Sequence, residues 1–172
     1  MTWTNLLREI PDFPVPGVLF RDVLPVMADP TAWQEVLDAL EASVTGLGVS
    51  AILAPEARGF LIAAPLADRL RVGLIPVRKP GKLPAPILRE AYSLEYGDNQ
   101  LEIEAHTSLG GHRVLIVDDV LATGGTVAAS ARLAERLGAN VIGFAFIIEL
   151  GALLGRKRLN LQQATITSLL TL

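Results

Sequence analysis

Four short runs of branched apolar residues recur along the chain, and none alternates strictly between apolar and polar positions. These runs are Val49–Glu56, Val72–Lys79, His112–Val120 and Asn140–Leu150. Continuous apolar runs of this length are typical of strands that are covered on both faces, as in a parallel sheet. The pattern therefore predicts four buried strands.

Helical patterns lie before and between these runs, and they predict three helices. The helical segments are Asp29–Val44, Arg58–Leu70 and Gly124–Gly138. Asp29 is a candidate N-cap, and Gly138 would end the last helix. Strands that alternate with helices indicate an α/β fold, with a central, mostly parallel sheet flanked by helices. Ligands of such sheets bind beyond the C-terminal ends of the strands.

Two segments interrupt this alternation. Residues 78–97 contain three prolines and two glycines without a periodic apolar run, which predicts a structureless lid or binding loop. The proline-rich residues 10–25 are expected to cover part of the end of the sheet. Further on, Glu102 and Glu104 alternate with apolar residues, as in an ordinary amphipathic strand.

Composition limits the class of protein. The length of 172 residues predicts a single domain, residues 1–172. Hydrophobic residues make up 51% of the chain, which argues against disorder, and cysteine is absent, which removes disulfides and thiolate nucleophiles. The net charge of −3 gives no general attraction to nucleic acid or membrane, so an anionic ligand needs a local site. Without a signal-peptide pattern or a spanning apolar run, we expect a cytoplasmic protein that binds neither nucleic acid nor membrane.

The segment Val114–Val127 carries the clearest chemical signal. Its apolar residues lead into Asp118 and Asp119 at the end of a predicted strand, where carboxylates can accept hydrogen bonds from sugar hydroxyls. The loop Leu121–Thr126 then enters a helix, and its glycines allow backbone N–H groups to turn toward an anion. Acceptors for a diol beside a phosphate loop match the two ends of a ribose 5-phosphate.

Two other phosphate motifs share this logic but fail in detail. A P-loop requires a lysine before the Ser/Thr, and Gly125 occupies that position. A dinucleotide fingerprint requires G-x-G-x-x-G, which this loop lacks. A strand-to-helix turn with a purely structural role is the remaining alternative.

The same segment resembles the phosphoribosyl-diphosphate signature of the type I phosphoribosyltransferases. Further segments resemble the adenine phosphoribosyltransferases in order and spacing: Pro11–Asp22, Glu56–Phe60, Val77–Pro84, Tyr92–Gly97 and Leu101–Glu104. The resemblance covers about residues 10–150 and implies the type I phosphoribosyltransferase fold, with an N-terminal base-covering segment at about 1–28 and a flexible hood at about 80–100. It implies an enzyme of purine salvage that converts adenine and 5-phospho-α-D-ribosyl 1-diphosphate to AMP and diphosphate.

The resemblance also implies which residues bind each part of the substrates. The 5′-phosphate and ribose would be bound by Asp118, Asp119, Ala122, Thr123, Gly124, Gly125 and Thr126. The diphosphate would meet Arg58, Arg78 and Lys79, and Arg58 and Lys79 would also be catalytic. Adenine would lie against Leu19, Phe20 and Arg21. In the hood, Glu95 would exchange a proton with adenine N7 and Tyr96 would lie above the sugar.

Metal and oligomer follow from the resemblance as well. Mg²⁺ would arrive with the diphosphate and without direct protein ligands, the alternative being direct ligation by Asp118 and Asp119. The residue that matches Lys79 commonly acts from the neighbouring subunit, which implies a homodimer. Ala54-Pro55 departs from the family, in which glycine and an apolar residue are more usual.

Other functions on the same fold remain as alternatives. Enzymes for hypoxanthine, guanine or xanthine read the 6-oxo group with a lysine or similar donor after the signature, and Phe144–Leu154 contains none. A non-catalytic nucleotide-sensing regulator would carry a DNA-binding segment, and synthesis of the activated sugar would need an ATP site. The sequence shows a pattern for neither.

Overall fold

The computed structural model describes residues 3–13, 16–17, 19–94, 97–159 and 164–172. The chain divides into two compact units, Met1–Ala39 and Leu40–Leu172, and the boundary falls inside a helix. After a short 3-10 helix (Trp3–Leu6) come β1 (Arg8–Pro11), β2 (Leu19–Asp22), α1 (Leu24–Ala28) and α2 (Pro30–Val44). Strands β1 and β2 pair antiparallel.

Helix α2 begins at the predicted cap. The Asp29 side chain accepts hydrogen bonds from the backbone N–H groups of Thr31 and Ala32, at 3.0 and 2.9 Å. Two donors of the first helical turn are thereby satisfied, which stabilises the start of the helix. Among the described residues, no helix has both the length and the apolar character needed to cross a membrane.

The second unit is built on a sheet of five parallel strands. The strands are β3 (Ala51–Pro55), β4 (Gly73–Val77), β7 (Arg113–Leu121), β8 (Asn140–Glu149) and β9 (Thr165–Thr171). Their order across the sheet is β4-β3-β7-β8-β9. Every neighbouring pair is parallel. Strand β3 is buried along its whole length, as its continuous apolar run predicted.

Two helices connect these strands and set the position of the ligand crevice. Helix α3 (Arg58–Leu70) lies between β3 and β4 in the chain, and α4 (Gly125–Arg136) lies between β7 and β8. From the middle of the sheet, the first connection leads toward one edge and the second toward the other. In an open parallel sheet, a crevice forms where the order reverses, beyond the carboxyl ends of the two central strands. These are β3 and β7.

All four predicted strands and all three predicted helices are present, but the prediction for residues 78–97 is wrong in part. Residues 87–94 form strand β5 (Ile87–Leu94), which pairs antiparallel with β6 (Gly97–Glu104). Leu88 and Tyr92 pack against the core, and Glu90 lies on the same face of β5. This charged residue hid the alternation in the sequence. It is tolerated because Arg132 of α4 donates to it at 2.6 Å.

The amphipathic strand predicted around Glu102 forms as β6, but its two glutamates differ. Glu104 is exposed, whereas Glu102 has 0% of its surface exposed. Strand β9, for which the sequence made no prediction, pairs with β8 and forms one edge of the sheet. That residues 1–172 form a single domain, with a covering segment at about 1–28 and a hood at about 80–100, stays a prediction.

Candidate active site

A cleft of about 380 Å³ opens where the sheet order predicts a crevice. It is lined by the loop after β3, the residues after β4, the β5–β6 hairpin, β7 and the start of α4. The lining residues are Glu56, Ala57, Arg58, Lys79, Tyr92, Asn99, Leu101, Asp118, Asp119 and Thr126. Folding thus brings together five predicted site residues that are far apart in sequence: Arg58, Lys79, Asp118, Asp119 and Thr126.

A smaller pocket of about 90 Å³ shares Asp118 and Thr126 with this cleft. Its other lining residues are Val120, Ala122, Thr123, Gly124, Gly125 and Val127. Gly124 precedes the first residue of α4 and has a φ of 79°, in the left-handed region that favours glycine. The predicted phosphate loop therefore wraps a pocket at the N-terminus of a helix, where backbone N–H groups and the helix dipole favour an anion.

Asp118 and Asp119 place two carboxyl groups at the junction of the two pockets. The Asp118 Oδ1 atom accepts a hydrogen bond of 2.9 Å from the backbone N–H of Asp119. Burial raises the pKa of Asp118 well above its usual value, and the neighbouring charge of Asp119 raises it further. Burial also raises the pKa of Asp119, although the positive charge of Arg58 opposes the shift. The pair lacks the solvation that would stabilise its charged form, and hydroxyl donors of a ligand would supply it.

Arg58 is the first residue of α3 and lies against this pair. Its Nε atom is 2.7 Å from Asp119 Oδ2, a carboxylate oxygen that accepts no aligned hydrogen bond among the described residues. A cation at a helix N-terminus faces the positive end of the dipole, so it needs an anionic partner. The carboxylate supplies one here, and about a third of the Arg58 side chain (38%) remains exposed for another.

Gly59 makes the close approach of α3 to Asp118 possible. A Cβ atom at this position would lie 3.1 Å from Asp118 Oδ1 and 3.1 Å from the carbonyl oxygen of Val117. A larger residue would push the helix away from the carboxyl pair. The sequence placed Gly59 inside a motif but did not predict this role, and the glycine directly after Arg58 was the available signal.

Glu56 binds the basic segment that follows β4. Arg78 Nε donates to Glu56 Oε2 at 2.6 Å, and the Arg78 guanidinium lies 5.8 Å from the centre of the Phe60 ring. Burial by itself would raise the pKa of Glu56, but hydrogen bonds from Arg78 and the Lys79 backbone, together with the nearby positive charge, lower this pKa. Arg78 is thus bound beside the cleft, whereas Lys79 lines it. A contact of Arg78 with diphosphate stays a prediction. The Glu56–Ala57 peptide bond is cis.

The predicted base-binding residues lie in β2 of the first unit. The Phe20 ring packs edge-to-face on Phe13, with ring centres 5.2 Å apart. Arg21 forms an ion pair with Glu9, and Leu19 is exposed. Their contact with a base stays a prediction.

Glu95 and Tyr96 lie outside the described residues, so their roles in the hood also stay predictions.

Four further residues that line the cleft, Ala57, Tyr92, Asn99 and Leu101, were not predicted as site residues from the sequence. Tyr92 and Asn99 lie directly opposite each other in the hairpin and both line the cleft. Tyr92 belongs to one of the motifs that resemble the family, whereas nothing in the sequence singled out Asn99.

Among the described residues, no three His, Cys, Asp or Glu side chains are placed to hold a metal ion.

Gly155 packs closely against the predicted phosphate loop, at Ala122 and Gly124. A Cβ atom at this position would overlap the carbonyl oxygen of Ala122, and one on Gly124 would lie 2.7 Å from the carbonyl oxygen of Gly155. The next residue, Arg156, anchors this segment, because its Nε donates to both carboxylate oxygens of Glu149 at 2.7 and 2.8 Å. These hydrogen bonds from Arg156 lower the pKa of Glu149.

Comparison with known proteins adds independent findings. The family model described as "phosphoribosyl transferase domain" matches residues 32–163. The adenine phosphoribosyltransferase of Synechococcus sp. (strain JA-2-3B'a(2-13)) is 53% identical over 155 residues, which is 90% of this chain and 89% of that protein. The solved adenine phosphoribosyltransferase of Thermoanaerobacter pseudethanolicus has a TM-score of 0.94 and 50% identity, covering 98% and 97% of the two chains. That of Saccharomyces cerevisiae, complexed with an imino-altritol bisphosphate and adenine, has a TM-score of 0.90 and 40% identity, covering 97% and 96%.

Proposed function

Because this chain belongs to the phosphoribosyl transferase family, and within it to the adenine phosphoribosyltransferases, we propose the reaction of that group for it. The chain transfers the phosphoribosyl group of 5-phospho-α-D-ribosyl 1-diphosphate to N9 of adenine, which gives AMP and diphosphate. It is therefore a pentosyl-transferring glycosyltransferase of purine salvage. The predicted fold class, the type I phosphoribosyltransferase fold with a parallel sheet flanked by helices, is confirmed.

One observation supports the proposal above all: the carboxyl pair and two cations line one cleft, and the pocket at residues 122–126 shares Asp118 and Thr126 with it. In the proposed complex, the backbone N–H groups and hydroxyls of residues 122–126 bind the 5′-phosphate. Asp118 and Asp119 accept hydrogen bonds from the ribose hydroxyls. Arg58 and Lys79 then lie at the part of the cleft that is left for the diphosphate.

The chemistry explains why this arrangement is useful. As the bond between C1′ and the diphosphate oxygen breaks, positive charge develops on C1′ and negative charge on the leaving group. Arg58 and Lys79 stabilise that negative charge, while residues at the 5′-phosphate hold the sugar in place. Mg²⁺ would enter with the diphosphate substrate, where its positive charge would make the diphosphate a better leaving group.

The proposal extends to the base and the hood. Phe20 stacks on adenine, and backbone groups at Leu19 and Arg21 read its exocyclic amine. A backbone carbonyl can accept a hydrogen bond from this amine. The 6-oxo group of hypoxanthine or guanine has no hydrogen to donate to that carbonyl, so the site favours adenine. Glu95 exchanges a proton with N7 while N9 attacks, and Tyr96 helps the hood exclude water from the reacting sugar. We also propose a homodimer in the cytoplasm.

A base-specificity assay tests the function directly. With the phosphoribosyl donor, 5-phospho-α-D-ribosyl 1-diphosphate, and Mg²⁺ present, we expect adenine to be consumed at least about 100-fold faster than hypoxanthine or guanine. A site that binds the exocyclic amine has hydrogen-bonding groups that stay unpaired when a 6-oxo purine is bound. Measurement of nucleotide formation from each base gives the ratio. A preference for a 6-oxo purine would contradict the proposal, and donor binding without turnover of any base would favour the regulator.

A further inference from the structure

We propose that Glu102 is a positioning residue that holds Lys79 at the diphosphate end of the cleft. This inference rests on the proposed function, in which Lys79 binds the leaving group. Glu102 is fully buried on β6, does not line the cleft, and takes no part in the chemistry described above. A buried carboxylate needs hydrogen-bond donors around it, and the identity of these donors indicates its role.

Glu102 binds the segment around Lys79 at two points. Its backbone N–H donates to the Arg78 carbonyl at 2.7 Å, and its own carbonyl accepts from the Arg78 N–H at 2.9 Å. Its Oε2 accepts from the backbone N–H of Gly81 at 3.0 Å. One residue therefore fixes the backbone immediately before Lys79 and two residues after it.

The turn itself needs this support. Gly81 has a φ of 79°, and Lys79 and Pro80 are exposed, so packing adds little to holding the turn. Glu56 binds its start, at the Arg78 side chain and the Lys79 backbone N–H, and Glu102 binds its far side at Gly81. The Lys79 ammonium is carried on a long, flexible side chain, and its average position depends on where the backbone is held. An anchored turn keeps this charge at the cleft and reduces the conformational entropy that is lost when diphosphate binds.

The carboxylate is specifically suited to this role. Its second oxygen, Oε1, accepts from Arg89 Nε at 2.7 Å, and Arg89 is the cross-strand partner of Glu102. Both oxygens therefore face N–H donors, from Gly81 on one side and Arg89 on the other. A glutamine has the same shape but only one acceptor oxygen, and its NH₂ group would meet one of these donors.

The main test compares Glu102→Gln with Glu104→Gln, an exposed control two residues along the same strand. Calorimetry with magnesium diphosphate and with ribose 5-phosphate reports separately on the two ends of the cleft. We expect Glu102→Gln to weaken diphosphate binding by about tenfold and to leave ribose 5-phosphate binding unchanged, because only the cation at the diphosphate end is displaced. The control should bind both ligands like the parent. Unchanged diphosphate binding in Glu102→Gln would overturn the proposal.

A double-mutant cycle with Lys79→Ala distinguishes positioning from general structural damage. If Glu102 acts through Lys79, then Glu102→Gln should weaken diphosphate binding less than about twofold in the Lys79→Ala background. A further tenfold loss there would mean that Glu102 acts by another route and would overturn the inference.

Glu102→Asp provides the test if the glutamine variant fails to fold. It keeps the charge that balances Arg89 but shortens the reach to Gly81, so diphosphate binding should again weaken while ribose 5-phosphate binding holds. Parental diphosphate affinity in this variant would overturn the inference. Because these readouts are binding constants, a failure of the parent to use adenine would count against the proposed function and leave the comparison interpretable.

Discussion

The carboxyl groups of Asp118 and Asp119 lie in the candidate site at a cost to the stability of the folded protein. Folding raises the pKa of both carboxyl groups, because burial disfavours their charged forms. A carboxyl group with a raised pKa favours the folded state below its ordinary value of 3.8, and this contribution is lost as the pH rises through the folded pKa. At neutral pH the pair therefore lowers the free energy of unfolding.

We predict that Asp118→Asn stabilises the protein and weakens the binding of the phosphoribosyl donor. Asparagine keeps an oxygen that can accept from the Asp119 N–H but removes the partly buried charge beside Asp119. At pH 7, we expect the melting temperature to rise by about 2 to 4 °C, or about 1 kcal/mol. We expect donor affinity to fall by about tenfold, because hydrogen bonds to a charged acceptor are stronger than those to a neutral one. Calorimetry measures both quantities.

The pH dependence provides the internal control for this prediction. The difference in melting temperature should shrink as the pH is lowered toward 3.8, where the parent carboxyl also becomes neutral. Glu56 has a lowered pKa, so its contribution to stability is lost as the pH falls, but this loss occurs in both proteins and cancels. A variant that melts below the parent at pH 7 would contradict the prediction.

At the scale of elements, α4 positions two parts of the site at once. Its N-terminus follows the phosphate loop, and its side holds the β5–β6 hairpin through Arg132, which binds Glu90, and Arg136, which donates to the Arg89 carbonyl at 2.6 Å. The sequence predicted α4 because its apolar spacing and terminal glycine are local signals. It did not predict β5, because Glu90 is acceptable on the inner face only when Arg132 is beside it.

The segment behind the phosphate loop leads to a second prediction. Gly155→Ala should weaken ribose 5-phosphate binding by about tenfold and lower stability by about 1 to 3 kcal/mol, because the new methyl group would displace Ala122. Calorimetry gives the affinity, and chemical denaturation gives the stability. Gly73→Ala in β4 is the matched control, since a Cβ atom there meets nothing within 4 Å. Parental affinity in Gly155→Ala would show that this contact does not shape the loop.

At the scale of the whole molecule, we predict a homodimer. The second unit leaves about half of the Leu61 and Leu154 side chains exposed, and a second copy of the chain could cover such apolar surface. Sedimentation equilibrium should give twice the chain mass of 18.4 kDa, or 36.8 kDa. A species of 18.4 kDa with full activity would contradict the dimer.

The α/β class, the buried strands and the predicted phosphate-binding residues could all be inferred from the sequence. These follow from local order: apolar runs mark strands, and the acids and glycines from Asp118 to Thr126 are contiguous, so their chemistry is visible without a fold. The likeness to known motifs also predicted Arg58 and Lys79 as residues of the site, and both line the cleft.

Which distant residues meet, and which charges are buried, became visible in the folded chain alone. The reversal of strand order between β3 and β7 brings Arg58, Lys79 and Asp118 into one cleft. Glu102 and Glu104 have the same spacing from their apolar neighbours, yet only Glu102 is enclosed, by Gly81 and Arg89. Burial and partnership depend on contacts between segments far apart in the chain, so a local pattern cannot distinguish the two glutamates.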